Sequence, residues 1–203
     1  MPTSSRLRTI YFNVQKMLIT RGYSLKQVLN AEQFEKLAAK SFQRQALNFT
    51  AIHRDTAVIS IWFLDSDMDL KLSIKVLRLL VEKMKSEQIH HLICVHAYVL
   101  STRIRQLIAD INDSSDLHIE VFSDSEVFVD ITKHELVSPH RIMSEIETMK
   151  LLKHYKTEKR YLPRIKRNDP MARYMGANAG EVIEIKRPSE SCGISLYYRV
   201  TVI

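Results

Sequence analysis

Between residues 57 and 122 the chain changes its apolar period four times, and that alternation constrains the fold more than any other feature of the sequence. Residues 57–64 form a near-continuous run of β-branched and aromatic residues, read as a strand with Trp62 and Phe63 in the core. Ile74, Leu77, Val81 and Met84 then recur at helical spacing within residues 70–85. Residues 92–95 are a short apolar strand, Ser101 caps a helix carrying Ile104, Leu107, Ile108 and Ile111, and residues 117–122 are another strand. Strand, helix, strand, helix, strand predicts an α/β layer with at least one right-handed parallel crossover.

Upstream, Leu7, Ile10, Tyr11, Val14 and Leu18 mark an amphipathic helix with Gly22 as its C-cap. Ser24 with Gln27, and Asn30 with Gln33, have capping-box spacing. The second pair opens a helix that buries Phe34, Leu37, Ala38 and Phe42, so the region reads as helical to about Arg44. Leu47, Phe49, Ala51 and His53 alternate with polar neighbours and predict a strand adjacent to residues 57–64, and residues 65–69 break the pattern. An N-terminal α/β domain over residues 1–130 has a usual domain size.

Residues 128–137 read as an extended connector broken by Ser138-Pro139-His140. Ser144 and Glu147 form a further capping-box pair, opening a helix with Ile146, Met149, Leu152 and Tyr155 on one apolar side. Asp169 is an N-cap with Pro170 at the first helical position, Gly176 suits the left-handed residue that closes the helix, and Gly180 turns the chain. Val182, Glu184 and Lys186 alternate with Ile183, Ile185 and Arg187, and residues 195–202 are rich in strand formers, which predicts a hairpin. Tyr197 and Tyr198 point to opposite faces of their strand, one buried and one available to a partner. Residues 131–203 thus form a small C-terminal α+β domain with a helix and a β-hairpin.

Composition narrows the function classes. Residues 150–173 carry nine Lys or Arg against Glu158 and Asp169, a surplus of +7 that equals the formal charge of the whole chain. Such a segment is either a surface for nucleic acid or an acidic protein, or a solvated helix face and loop. Cys94 and Cys192 make neither a disulfide framework nor a zinc motif, no run is long enough to span a bilayer, and the N-terminus lacks a signal core, so a soluble protein of a reducing compartment is expected. With only four glycines, no Gly-rich phosphate loop is available.

Two acid-x-Lys tripeptides, Asp69-Leu70-Lys71 and Glu184-Ile185-Lys186, are of the kind used by metal-dependent nucleases. A chain of this composition yields about two by chance, so they specify nothing. His90, His91 and His96 cluster around one strand without zinc-ligand spacing and are read as strand-edge or half-buried histidines, with no metal expected.

The later motifs are more specific. Residues 131–137 (Ile-Thr-Lys-His-Glu-Leu-Val), Leu162-Pro163-Arg164-Ile165, Asp169-Pro170, Ala172-Arg173-Tyr174, Gly176, Gly180, Val182, Arg187, Ser189-Glu190, Gly193 and Tyr198-Arg199 occur in the order of one family's signature. The chain resembles the fifth subunit common to the nuclear RNA polymerases, a family with a counterpart in the archaeal polymerase. Archaeal members resemble only this C-terminal part, and the preceding 130 residues, with Arg21-Gly22-Tyr23, are similar to the eukaryotic N-terminal jaw domain.

The resemblance implies a non-catalytic structural subunit without cofactor or metal, eukaryotic or from a virus that acquired such a polymerase. Its C-terminal domain would dock on the largest subunit, and its N-terminal domain would form part of the lower jaw along downstream duplex DNA, contacted without sequence preference. Assembly residues would be His134, Leu136, Val137, Pro139, Leu162, Pro163, Arg164, Ile165, Asp169, Pro170, Arg173, Tyr174, Tyr198 and Arg199. The DNA-proximal residues would be Ser101, Thr102 and Arg103, where Thr102 replaces the proline of the family's Thr-Pro-Ser-Ala turn. Other polymerase subunits are implied as partners, not a membrane or a second copy, in the nucleus or, for a viral protein, the cytoplasm. The alternative is a free-standing nucleic-acid-binding or nuclease-like α/β protein.

Overall fold

A computed structural model describes residues 4–26, 28–38, 43–53, 58–64, 74–98 and 100–202. The chain divides into two compact units, Met1–Val129 and Asp130–Ile203. In the first, helix α1 (Ser4–Thr20) leads through strand β1 (Tyr23–Lys26), α2 (Ala31–Ala38) and a 3-10 turn (Arg44–Leu47) to β2 (Phe49–His53) and β3 (Val58–Phe63). There follow α3 (Ile74–Ser86), β4 (His91–His96), α4 (Thr102–Ser114), β5 (His118–Ser123) and α5 (Asp124–Phe128). The five strands lie in the order β1-β2-β3-β4-β5. The first two pairings are antiparallel, and β3–β4 and β4–β5 are parallel.

The parallel strands are apolar on both faces because both are covered. Trp62, Leu92, Cys94 and Ile119 pack with Leu77, Leu80 and Met84 of α3 and with Ile104 and Ile108 of α4. Phe63, the next residue along β3, turns to the opposite face, where its ring centroid lies 5.8 Å from that of Tyr11 on α1. Tyr11 also meets Phe49 edge-on at 5.6 Å, and its hydroxyl accepts a hydrogen bond from the Leu29 amide. Burial raises its pKa, as a phenol without full access to water must.

Helix α1 stops at Gly22, whose φ of +87° is the left-handed conformation a helix C-terminus uses. A Cβ there would lie 3.3 Å from His53 Nε2, a close contact that adds to the preference for glycine. The predicted continuation of helix is corrected at this point. Residues 23–26 are a strand paired with β2 from Tyr23↔His53 to Lys26↔Thr50, with alternating half-buried and exposed side chains. Ser24 therefore sits in β1 and caps no helix, whereas Asn30 and Gln33 do exchange amide-to-side-chain hydrogen bonds as a capping pair. Gln27, Phe42, Ala57, residues 65–69 and the start of the helix expected at residue 70 lie outside the described residues.

The connector expected from Phe128 onward is also corrected. Ser123 and Glu126 form a capping box that opens α5, and Asp130 caps a 3-10 turn at Ile131–Lys133. Asn13 of α1 donates its side-chain amide to the Val127 and Phe128 carbonyls, satisfying the end of α5. The other end is held by a buried bidentate pair, in which Arg44 Nη1 and Nη2 donate to Asp124 Oδ2 and Oδ1 at 2.8 and 2.6 Å.

In the second unit, β6 (His140–Ile142), α6 (Glu145–His154), a 3-10 turn (Lys159–Tyr161), β7 (Arg164–Lys166) and α7 (Pro170–Met175) precede β8 (Val182–Ser189) and β9 (Gly193–Val202). The strand order is β6-β8-β9-β7, with β7 parallel to β9 and the other pairs antiparallel. Ile165, Ala172, Ala177, Ile183 and Ile185 form its core. The predicted alternation along β8 holds only in part. Val182, Ile183, Glu184 and Ile185 are all buried, because here β8 is a central strand between β6 and β9, and exposure begins at Lys186.

Removing one partner of a buried ion pair leaves an uncompensated charge. Asp124→Ala should therefore destabilise the first unit by about 3–5 kcal/mol, read as a lower urea midpoint. An unchanged midpoint would show that the Arg44–Asp124 pair contributes nothing to stability.

Candidate docking face and helix terminus

The second unit sorts the residues proposed for assembly into a supporting set and an exposed set. Asp169 Oδ1 accepts from the Met171 amide at 2.9 Å, with Pro170 at the first position of α7. The helix closes on Gly176, whose φ is +69°. Ile165 and Tyr174 are buried, at 7% and 8% exposure, and hold the face from beneath. Leu162, Val137 and Arg173 are half-buried.

The exposed set lies on β7, β9 and the approach to β6. Arg164 is opposite Val200 in the β7–β9 register, and the Arg199 guanidinium donates to the Arg164 carbonyl at 3.4 Å. Pro163 is exposed, and its carbonyl accepts from the Val200 amide. The exposed Pro139 accepts from the Lys186 amide through its carbonyl, which ties that approach to β8. His134 is exposed, accepts from the Leu136 amide through Nδ1 and from the Val137 amide through its carbonyl, and so folds a turn that projects Leu136 almost wholly into solvent. Tyr197 is half-exposed, whereas Tyr198 is partly covered, its ring 6.4 Å from Tyr155 and its pKa raised by burial.

Two features were not read from the sequence. A shallow groove of about 440 Å³ runs between α6 and the sheet, lined by Arg141, Glu147, His154, Tyr155, Glu184 and Tyr198 among others. Arg141 spans it, donating to Glu147 at 2.8 and 3.0 Å and to Glu184 at 3.3 and 3.4 Å. Second, the predicted apolar stripe of α6 is covered only at Leu152. Ile146 and Met149 are 63% and 59% exposed, because α6 turns Thr148 inward and half-buries Leu151 and Leu152. The signal was present in the spacing, but an amphipathic period states that a face will be covered, not that its own chain will cover it.

Glu147 is the most perturbed group here. The Ser144 amide, then the Arg141 guanidinium, then the Ser144 hydroxyl stabilise its carboxylate and pull its pKa down from 4.5 to about 2. A capping box and a charge-assisted bond thus act on one carboxyl.

In the first unit, Ser101 Oγ accepts from the Ile104 amide at 3.4 Å and opens α4. Ser101, Thr102 and Arg103 are exposed while Ile104 turns into the core. Three donors thus stand at the positive end of a 13-residue helix, a setting favourable to phosphate.

The remaining chemical candidates resolve as follows. Glu184 is buried against Arg141 and Lys186 is exposed, so this tripeptide does not join its acid to its lysine. The Asp69 tripeptide lies outside the described residues. His96 is buried, accepts from the Tyr98 amide through Nδ1, and has its pKa lowered by burial. His91, by contrast, meets His118 and Glu120, two residues that the strand-local histidine cluster did not include.

By class, this is a two-unit α+β protein with a mixed sheet in each unit. Residues 129–201, nearly all of the second unit, match the family described as RNA polymerase Rpb5, C-terminal domain. A relative from Dictyostelium discoideum, the DNA-directed RNA polymerases I, II, and III subunit rpabc1, is 31% identical over 198 residues, 98% of either chain. The RPABC1 subunits of Caenorhabditis elegans and Caenorhabditis briggsae are 31% and 33% identical over 205 residues, 97% of this chain and 96% of theirs. The chain belongs to this Rpb5 family of shared RNA polymerase subunits.

Because Glu147 has a lower pKa folded than unfolded, its contribution to stability is complete above about pH 4.5 and is lost as pH falls towards about 2. Carboxyl NMR titration should find that low value in the wild type and an upward shift in Arg141→Ala, short of 4.5 because the Ser144 amide remains. An identical titration in the variant would remove Arg141 from this account. Asp169→Ala should cost ~0.5–2 kcal/mol through loss of the α7 cap, measured as a lower denaturation midpoint of the second unit.

Proposed function

We propose that this chain is a non-catalytic structural subunit of a multisubunit DNA-dependent RNA polymerase acting in the nucleus. Its second unit docks on the largest subunit, and its first forms part of the lower jaw beside downstream duplex DNA. The relatives named as subunits shared by RNA polymerases I, II and III support the polymerase assignment.

The observation that carries the docking half is the uncovered apolar surface of the second unit. Leu136, Ile146, Met149, Tyr155 and Tyr161 are each more than half exposed, the last two within the strongly basic segment. Large apolar groups in that number support a protein interface. Arg164 and Arg199 add planar cations suited to bidentate pairing with carboxylates on the partner.

For the jaw half, the supporting feature is the start of α4. Thr102 and Arg103 are exposed beside a formed Ser101 cap, so an exposed hydroxyl residue and an exposed arginine stand together at the helix N-terminus. Such donors hold a phosphate backbone without reading bases. Thr102 in place of the family's proline retains the cap and adds a hydroxyl.

The two halves make separable predictions. Arg164→Ala should reduce co-purification with the largest polymerase subunit, while Arg103→Ala should leave assembly intact and weaken downstream-DNA crosslinking in the assembled enzyme. Equal loss of assembly in both variants would contradict the division of labour.

A further inference from the structure

His91, His118 and Glu120 come together at the start of β4 and β5, on the face of the sheet that α1 covers. The parallel register places His91 opposite His118, and Glu120 follows two residues on along the same face. His91 Nε2 lies 2.8 Å from Glu120 Oε1 and His118 Nε2 lies 3.8 Å from that same oxygen, with the ring centroids 4.6 Å apart. One ligand atom from each of the three residues falls within 4.8 Å of the other two. No other part of the described structure gathers three such groups.

We propose that these three side chains form a binding site for a divalent transition-metal ion of the zinc class. Zinc bound at about 2.0–2.1 Å by imidazole and carboxylate needs its ligand atoms about 3.3 Å apart in a tetrahedral set. The two distances to Glu120 Oε1, 2.8 and 3.8 Å, bracket that spacing, and with all three ligand atoms within 4.8 Å of one another a rotation of the imidazole rings would seat the ion. Both rings present Nε2, and ligation requires the Nδ1–H tautomer of each, which turns two lone pairs toward the carboxylate oxygen. Two imidazoles and one carboxylate favour zinc, cobalt or nickel over calcium or magnesium.

The carboxylate is held as a metal ligand's carboxylate is held. Arg21, directly after α1, donates through Nη1 and Nη2 to Oε1 and Oε2 at 2.9 and 2.8 Å, and its side chain is only 4% exposed. Its guanidinium in turn lies beside the Met17 sulfur and over the Phe122 ring. Ligating carboxylates are oriented by hydrogen bonds of this kind, although this cation also opposes the ion's charge and favours a moderate affinity. His91 and His118 remain a quarter to a third exposed, which leaves an entry path and room for water to complete the coordination. The ligands lie on β4 and β5, so an ion there would cross-link the two adjacent strands of the first unit.

The test is calorimetric titration of Zn²⁺ into the full chain, stripped with chelator and free of any polyhistidine tag. One ion per chain is expected, with affinity reduced about tenfold or more in His91→Ala and in His118→Gln. Absence of binding, or wild-type affinity in both variants, would overturn the proposal. Circular dichroism checks that the variants fold. If either does not, X-ray absorption of the zinc-loaded wild type decides: a first shell with two imidazoles supports the site, and a shell with one or none sinks it.

Discussion

The parallel strands β3, β4 and β5 carry apolar side chains on both faces along most of their length, and both apolar surfaces must be covered. Each buried Leu, Ile, Val or Phe contributes about 1.5–3 kcal/mol only if something covers it. Helices α3 and α4 cover one face through Leu77, Leu80, Met84, Ile104 and Ile108. Helix α1 covers the other, with Ile10, Tyr11, Val14, Met17 and Leu18 all at 1% exposure or less. The rest of the first unit follows from that requirement. Because α1 must lie across the sheet, its end delivers Arg21 to Glu120, and its middle delivers Asn13 to the carbonyls that end α5.

The second unit solves a smaller problem with a long hairpin. β8 and β9 pair from Val182↔Val200 to Ser189↔Gly193, while β6 and β7 add only three residues each. The short flanking strands and α7 enclose a small core and leave one side of α6 and the part of β9 beyond its pairing with β7 exposed. A unit with little apolar interior and much apolar exterior is better built for joining a larger assembly than for standing alone. The family's place as a subunit shared among polymerases fits that balance.

What was legible in the sequence was whatever depends on local chemistry. Asp169-Pro170 with Gly176, the Ser144–Glu147 box, the Ser101 cap and the strand–helix alternation of residues 57–122 each have a near-neighbour cause. The unread features depend on distant partners. Tyr23–Lys26 becomes a strand because β2 offers it an edge, and β8 is buried at Glu184 because Arg141 meets it across the sheet. His118 and Glu120 join His91 only through the β4–β5 register, 27 and 29 positions away in the chain. Tyr174 and Ile165 carried the family motif yet pack inward, because motif order records which residues recur and says nothing of the face they occupy.

Assembly is the claim on which the functional account rests, and recovery from the native source addresses it directly. The tagged chain, purified at moderate salt, should bring with it the large subunits of an RNA polymerase, identified by mass spectrometry in stoichiometric amount. Recovery of a stable monomer without them would contradict the account.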